Sequence, residues 1–285
     1  MYEKFYGLRE DPFRLSPDSR FCFRHASYRK AKAYMRYALH RGEGFVMVTG
    51  RPGTGKSTLI ADLVAELSNS NVEFSKLTST QLEADDLLRL VVLDFGLDGS
   101  VDNKAMLLHR LNIYLERLHG ENRRPLLIID EAQDLSPSAL EELRLLTNLQ
   151  KNNQPLLQIF LVGQEELRDL VLSKRLEQLH QRIVAACHLT PLDAATTRDY
   201  VLHRLHHVGW SSDPELDDAI FPLIHKYSLG IPRIINLICS RLLLHGMVEE
   251  RHELGEEDAR AAIDGLAAEQ LLPAALDEDA ARIQA

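Results

Sequence analysis

At 285 residues, with 45% apolar and 26% charged side chains, the chain has the makeup of an ordinary globular protein and enough length for two buried cores. A formal net charge of −9 argues against a protein that coats nucleic acid by bulk electrostatics, and no apolar run approaches the roughly 18 residues that a membrane span requires. Cys22, Cys187 and Cys239 are too few and too dispersed for a disulfide framework or a zinc site.

The first eight residues lack the apolar core of a signal peptide, so a cytoplasmic location is expected. Residues 1–44 are aromatic and basic. Phe5, Tyr6 and Phe13 flank Asp11-Pro12, and Ser16-Pro17-Asp18 reads as a turn. Arg24, Arg29, Lys30, Lys32, Arg36, His40 and Arg41 then follow a helical pattern whose apolar face is Ala31, Tyr34, Met35, Ala38 and Leu39. Those charges read as a solvated helix face or, more sharply, as a subunit or polyanion contact.

The apolar run 45–49 leads into Gly50-Arg51-Pro52-Gly53-Thr54-Gly55-Lys56-Ser57, and Thr58 opens a helical pattern. Strand, glycine loop and helix in this order make a phosphate cradle. Glycines let the backbone turn its N–H groups inward, and the helix N-terminus adds positive dipole at the same place. Gly50, Pro52, Gly53, Thr54, Gly55 and Thr58 would line the nucleotide phosphates. Lys56 would reach the β- and γ-phosphates of ATP, and the Ser57 hydroxyl would ligate Mg²⁺.

Residues 72–78 read as a second strand, 82–95 and 104–118 as helices, and 126–129 as a strand covered on both faces. That strand ends in Asp130-Glu131. Asp130 would hold Mg²⁺, and Glu131 would orient or deprotonate the attacking water. Ser136-Pro137 starts a further helix by its cap and N1 proline. The buried run 156–162 ends at Gly163-Gln164, and Gln164 would sense the γ-phosphate or hold the water. Arg175 and Arg182 precede a short fifth strand, 185–189. Either could neutralise phosphate charge in the transition state from a neighbouring subunit, Arg182 being slightly favoured. Beyond residue 193 the sequence shows no further strand, only helical patterns over 196–208, 214–228, 232–248 and 256–268. Arg233, just after Pro232, falls in the first turn of one of them, where it could fold over the nucleotide.

Together these residues resemble the AAA+ ATPases, over residues 1–265: Walker A at 50–57, Walker B at 126–131, a sensor-1 strand ending at Gln164, an arginine-finger region and a sensor-2 arginine at Arg233. Phe5-Tyr6-Gly7-Leu8, Asp11-Pro12-Phe13, Gly42-Glu43-Gly44-Phe45, Asp130-Glu131-Ala132-Gln133 and Gly163-Gln164-Glu165-Glu166-Leu167 look like the general secretion pathway protein A group. The run 79–86 looks closest to its members from exosortase and exopolysaccharide loci. The resemblance implies an α/β P-loop fold with a five-stranded parallel sheet of order 5-1-4-3-2, a C-terminal helical lid, an adenine pocket partly closed by the N-terminal segment, and nucleotide-dependent homo-oligomers. Many AAA+ proteins carry Asn, Ser or Thr where Gln164 stands. Group members commonly continue into a membrane span and a peptidoglycan-binding domain. Attachment to the inner membrane would here come through an export-machinery partner.

The expected organisation is an N-terminal segment packed on the nucleotide site (1–44), an α/β domain (45–192), a helical lid (193–268) and a frayed tail (269–285). The leading functional expectation is an ATP-hydrolysing assembly factor or switch for envelope secretion or exopolysaccharide export. The alternative is an ATP-gated DNA-binding regulator of the transposition or replication-loading type, motivated by the basic segment before Phe45.

Overall fold

The computed structural model describes residues 1–16, 18–67, 70–78, 82–100 and 103–273. It contains two compact units: residues 26–52 with 56–189, and residues 1–25 with 53–55 and 190–285. The segment expected as one piece, 1–44, is therefore divided at residues 25 and 26. Most of the expected tail, 274–285, lies outside the described residues, as do Pro17 of the expected turn and the start of the run 79–86.

The first unit is built on a parallel sheet of β1 (Phe45–Gly50), β2 (Val72–Thr78), β3 (Arg124–Asp130), β4 (Gln158–Gly163) and β5 (Ile183–Leu189). From one edge the order is β5-β1-β4-β3-β2. Every residue of β1 and β4, and all of β3 after Arg124, is buried. That burial on both faces is why these strands read as continuous apolar runs. The edge strands β2 and β5 alternate with solvent instead.

Around the sheet lie α1 (Ala26–Arg41), α2 (Lys56–Leu67), α3 (Ala84–Asp94), α4 (Lys104–Gly120), α5 (Pro137–Leu146) and α6 (Glu165–Leu172). Starts are set by local chemistry: Asn103 caps α4 through Ala105 N, and Ser136 caps α5 through Ala139 N with Pro137 at its first position. The core joins Met47, Leu127, Ile129, Ile159 and Leu161 of the sheet to Leu87, Leu111, Leu115 and Leu143 of the helices. The charged face expected on α1 is only partly solvated. Lys32 is buried, pairing with Asp62 and Glu66 of α2, while Tyr28 donates to Asp62 at 2.6 Å. Cys187 is buried on β5, its Sγ 3.7 Å from the Ala31 carbonyl oxygen, and burial pushes its thiol up to about 11.

The second unit is mainly helical: α7 (Ala194–His207), α8 (Ile220–Ser228), α9 (Pro232–Val248) and α10 (Glu256–Ala268). Contrary to the expectation of no strand after residue 193, Glu215–Leu216 pairs in parallel with Glu253–Leu254. This ladder occupies the start of what read as one helix over 214–228. The helix begins instead at Ile220, after the Asp217 side chain accepts a hydrogen bond from Ala219 N. Tyr2, Tyr6, Phe13 and Phe21 are buried in the core of this unit with Val201, Ile238 and Leu242. Arg204 of α7 holds that N-terminal segment, donating to the carbonyls of Pro12 and Arg14 and lying over the Phe21 ring. No helix among the described residues is long and apolar enough to cross a membrane.

Candidate active site

Parallel strands bring all their carboxyl ends to one edge of the sheet, where an open α/β fold places ligands. Ile129 pairs with Leu161, and Leu161 with Met47. Asp130 and Glu131 therefore follow at the level of Val48 and Thr49, directly before the glycine loop. The sheet carries the predicted acid pair to the predicted phosphate cradle.

Gly53 and Gly55 adopt φ of +81° and +98°, a backbone region that side chains disfavour, so the loop requires glycine at both positions. The Lys56 ammonium is buried and folds back on the loop, donating to the carbonyls of Gly50 at 2.7 Å and Arg51 at 3.2 Å. Burial pulls its pKa below the usual lysine value, while the charges of Glu131 and Asp130 oppose that shift. Thr54 is buried, whereas Ser57 and Thr58 in the first turn of α2 are half-buried. Pro52 is exposed at the loop tip.

Asp130 is buried at the end of β3, and Lys76 of the edge strand reaches its carboxylate at 3.1 Å. Glu131 takes φ 52° and ψ 41°, a left-handed conformation that costs a residue with a Cβ about 1–2 kcal/mol. Its Oε2 accepts from Gln133 Nε2 at 2.9 Å, and Gln133 Oε1 in turn accepts from Gln164 N at 2.9 Å. At Gln164 it is thus the backbone that is engaged. Its side chain makes no hydrogen bond among the described residues and does not cap α6.

Sequence reasoning missed Lys76 and Gln133. It also missed a cluster beside the loop entrance: Thr49 Oγ1 lies 3.1 Å from His188 Nδ1, His188 Nε2 lies 3.6 Å from Glu165, and Glu165 lies 3.8 Å from Arg51. The missed residues share a cause, because the pairing of distant strands brings them together. Lys76→Met is expected to lower the Mg²⁺ concentration for half-maximal nucleotide binding about two- to fivefold, since a half-exposed ion pair on Asp130 is worth up to ~1 kcal/mol. A Mg²⁺ titration with a fluorescent ATP analogue reads this, and an unchanged midpoint would leave Lys76 a purely structural partner.

The two candidate finger arginines part company. Arg182 precedes β5, at the opposite end of the strands from the loop. Its guanidinium donates to Thr147 Oγ1 at 2.7 Å and the Arg144 carbonyl at 3.4 Å, closing the C-terminus of α5. Arg175 is exposed in the turn Lys174–Leu176 and makes no ion pair among the described residues. In the helical unit, Arg233 is exposed in the first turn of α9. Its backbone N–H donates to the carbonyl of Gly53, which groups with that unit, at 3.2 Å.

The donors suit ATP with Mg²⁺. The Ser57 hydroxyl and the Asp130 carboxylate are hard oxygens, and Mg²⁺ bound to a nucleotide needs only one or two of them from protein. No group of three or more His, Cys, Asp or Glu fit to hold a metal by itself occurs among the described residues.

Residues 39–171 match the family model described as an AAA domain. Over 263 residues, 92% of its length, the chain is 36% identical to general secretion pathway protein A of Aeromonas hydrophila, and it spans about half (48%) of that protein. Among solved structures, it is similar to Cdc6p from Pyrobaculum aerophilum (TM-score 0.68, 18% identity, 90% of this chain and 70% of that one). It is also similar to the Aeropyrum pernix ORC2 protein (TM-score 0.63, 20% identity, 82% and 66%) and to the Thermotoga maritima RuvB branch migration motor (TM-score 0.58, 20% identity, 84% and 68%). At such identities these structures speak for the fold alone. Glycine loop, acid-tipped strand and sheet agree with these matches: the chain has an α/β P-loop fold, its residues 39–171 match an AAA domain, and over most of its length it is similar to general secretion pathway protein A.

Proposed function

We propose that the chain binds ATP with Mg²⁺ and hydrolyses it, and that its ATP and ADP states differ in self-association or partner affinity. The observation that carries this reading is Glu131, turned off the end of β3 in a left-handed conformation beside Asp130 and level with the loop entrance. A carboxylate so placed can take the proton of an attacking water. Ser57 and Asp130 would hold Mg²⁺, which when bound neutralises charge on the phosphates. Lys56 would exchange the carbonyls of Gly50 and Arg51 for phosphate oxygens. Gln164 would offer its side-chain amide to the γ-phosphate or the water, and Arg233 its guanidinium to the phosphates from the first turn of α9.

The name of the Aeromonas relative, general secretion pathway protein A, supports a role in secretion, and the sequence resemblance over 79–86 supports exopolysaccharide export as the process served. In this reading the protein is cytoplasmic and reaches the inner membrane through a partner. The DNA-binding alternative gains little from α1, where Lys32, Arg36 and Arg41 are engaged by Asp62, Glu66 and Glu43.

For the finger we take Arg175, because Arg182 is committed to the end of α5. ATP turnover per subunit should rise with protein concentration. Arg175→Ala should lower it by about 10³-fold or more, the usual loss on removing an arginine finger. Arg182→Ala should instead cost about 1–2 kcal/mol of stability through its lost hydrogen bonds, with turnover per folded molecule retained. Turnover that is flat with concentration and indifferent to Arg175 would sink the oligomeric ATPase, and stimulation by duplex DNA at low salt would favour the alternative.

A further inference from the structure

Gln133 lies in the turn Ala132–Asp134 and has no place in the reading of the site given above. Its side chain joins two groups of opposite hydrogen-bonding character. Nε2 donates to Glu131 Oε2 at 2.9 Å, and Oε1 accepts from the backbone N–H of Gln164 at 2.9 Å. A carboxamide meets both needs from separate atoms, its nitrogen donating to a carboxylate while its oxygen accepts from a peptide N–H. The orientation of the amide is fixed by the same logic, since the flipped form would set oxygen against oxygen and nitrogen against nitrogen.

Two further observations show that the bridge is built into the backbone. A Cβ at Gly163 would sit 2.6 Å from Gln133 Oε1, so the last residue of β4 must lack a side chain for the amide to lodge there. Glu131 is held in a left-handed conformation, a strained state that persists only where surrounding contacts over-determine it. The hydrogen bond from Gln133 is one of those contacts, and it acts on the carboxylate itself.

We infer that Gln133 is a positioning residue for the hydrolytic step: its amide pins the Glu131 carboxylate to the tip of β4, fixing the direction from which that carboxylate meets water. The inference rests on the ATPase reading. It makes the β4–α6 junction at Gln164 a mechanical partner of Glu131 through main chain, whatever the Gln164 side chain does. Gln133 itself need touch neither nucleotide nor water.

The test uses the full chain and two readouts, the Kd for a fluorescent ATP analogue and single-turnover ATP cleavage. Gln133→Ala should leave that Kd within about twofold and slow cleavage about 10- to 100-fold, the scale on which misplacing a catalytic group by an ångström acts. Gln133→Glu keeps the acceptor for Gln164 N but sets a carboxylate against Glu131, and should be at least as slow. In a Glu131→Gln background, Gln133→Ala should add less than about twofold, because residues that act as a unit are not additive. Cleavage by Gln133→Ala at the wild-type rate, or an equal further loss on the Glu131→Gln background, would overturn the inference while leaving the ATPase intact. A wild-type protein that binds the analogue but never cleaves ATP would overturn the ATPase reading, and this inference with it.

Discussion

Glu131→Gln is expected to slow ATP turnover by about 10²–10⁴-fold, the contribution typical of a positioned general base, while nucleotide binding stays intact. The amide has the size of the carboxylate and can still offer an oxygen to Gln133 Nε2, so the turn Ala132–Asp134 and the left-handed backbone at Glu131 have no reason to change. What it cannot do is accept the proton of a water molecule. Asp130, one residue earlier, remains buried and paired with Lys76, so the proposed Mg²⁺ position is left untouched. Phosphate release and equilibrium binding of a fluorescent analogue separate the two effects. Turnover within a few-fold of wild type would move the base elsewhere, and loss of binding together with turnover would mean that Glu131 supports the loop rather than the chemistry.

The largest expected effect on stability lies in the helical unit. Gly230 has φ +69°, and a Cβ there would come within 1.9 Å of the Leu192 carbonyl oxygen. The two segments are also hydrogen-bonded, Leu192 N donating to Gly230 O at 2.8 Å, while Gly230 N donates to Ser228 Oγ at 3.1 Å. The atom in the way is main chain and has no rotamer by which to escape. Gly230→Ala is therefore expected to cost roughly 3 kcal/mol or more, about 1 for the left-handed backbone and the remainder for overpacking. Denaturant unfolding checks this, with Gly120→Ala as the control. A Cβ at Gly120, the last residue of α4, meets nothing within 4 Å, so that change should be neutral or stabilising by about 0.5 kcal/mol. Equal stabilities for the two variants would mean that Gly230 does not approach Leu192 this closely in solution.

The parts of this molecule legible in its sequence are those whose cause is local. β1, β3 and β4 read as strands because both faces are buried, and α9 and α10 read almost to the residue because Pro232 and an acidic first turn at Glu256 mark their starts. The glycine loop and the acid pair are likewise contiguous signals. What escaped is non-local or too short. The ladder between Glu215–Leu216 and Glu253–Leu254 has two residues a side, fewer than an alternating pattern needs to register. Lys76 looked like any polar residue of an edge strand until the register of β2 on β3 paired Thr78 with Asp130. Gln133 entered only as the end of the run Asp130-Glu131-Ala132-Gln133 and carried no role of its own, since nothing in its neighbourhood announces Gln164. Arg182 drew attention by its position before β5, and only the tertiary structure shows its guanidinium closing α5.

The pairing of Lys32 and Tyr28 with Asp62 sets a lower bound on how the chain can be shortened. Asp62 is buried in the helix that follows the glycine loop. A fragment starting at residue 39, where the AAA-domain match begins, would keep that carboxylate and discard both the ammonium and the phenol that face it. Removing one partner of a buried ion pair costs about 3–5 kcal/mol, a large share of what holds a domain folded. Recombinant pieces made for binding or crystallisation should therefore begin upstream of Tyr28, and a truncation at the domain-match boundary is expected to yield insoluble protein.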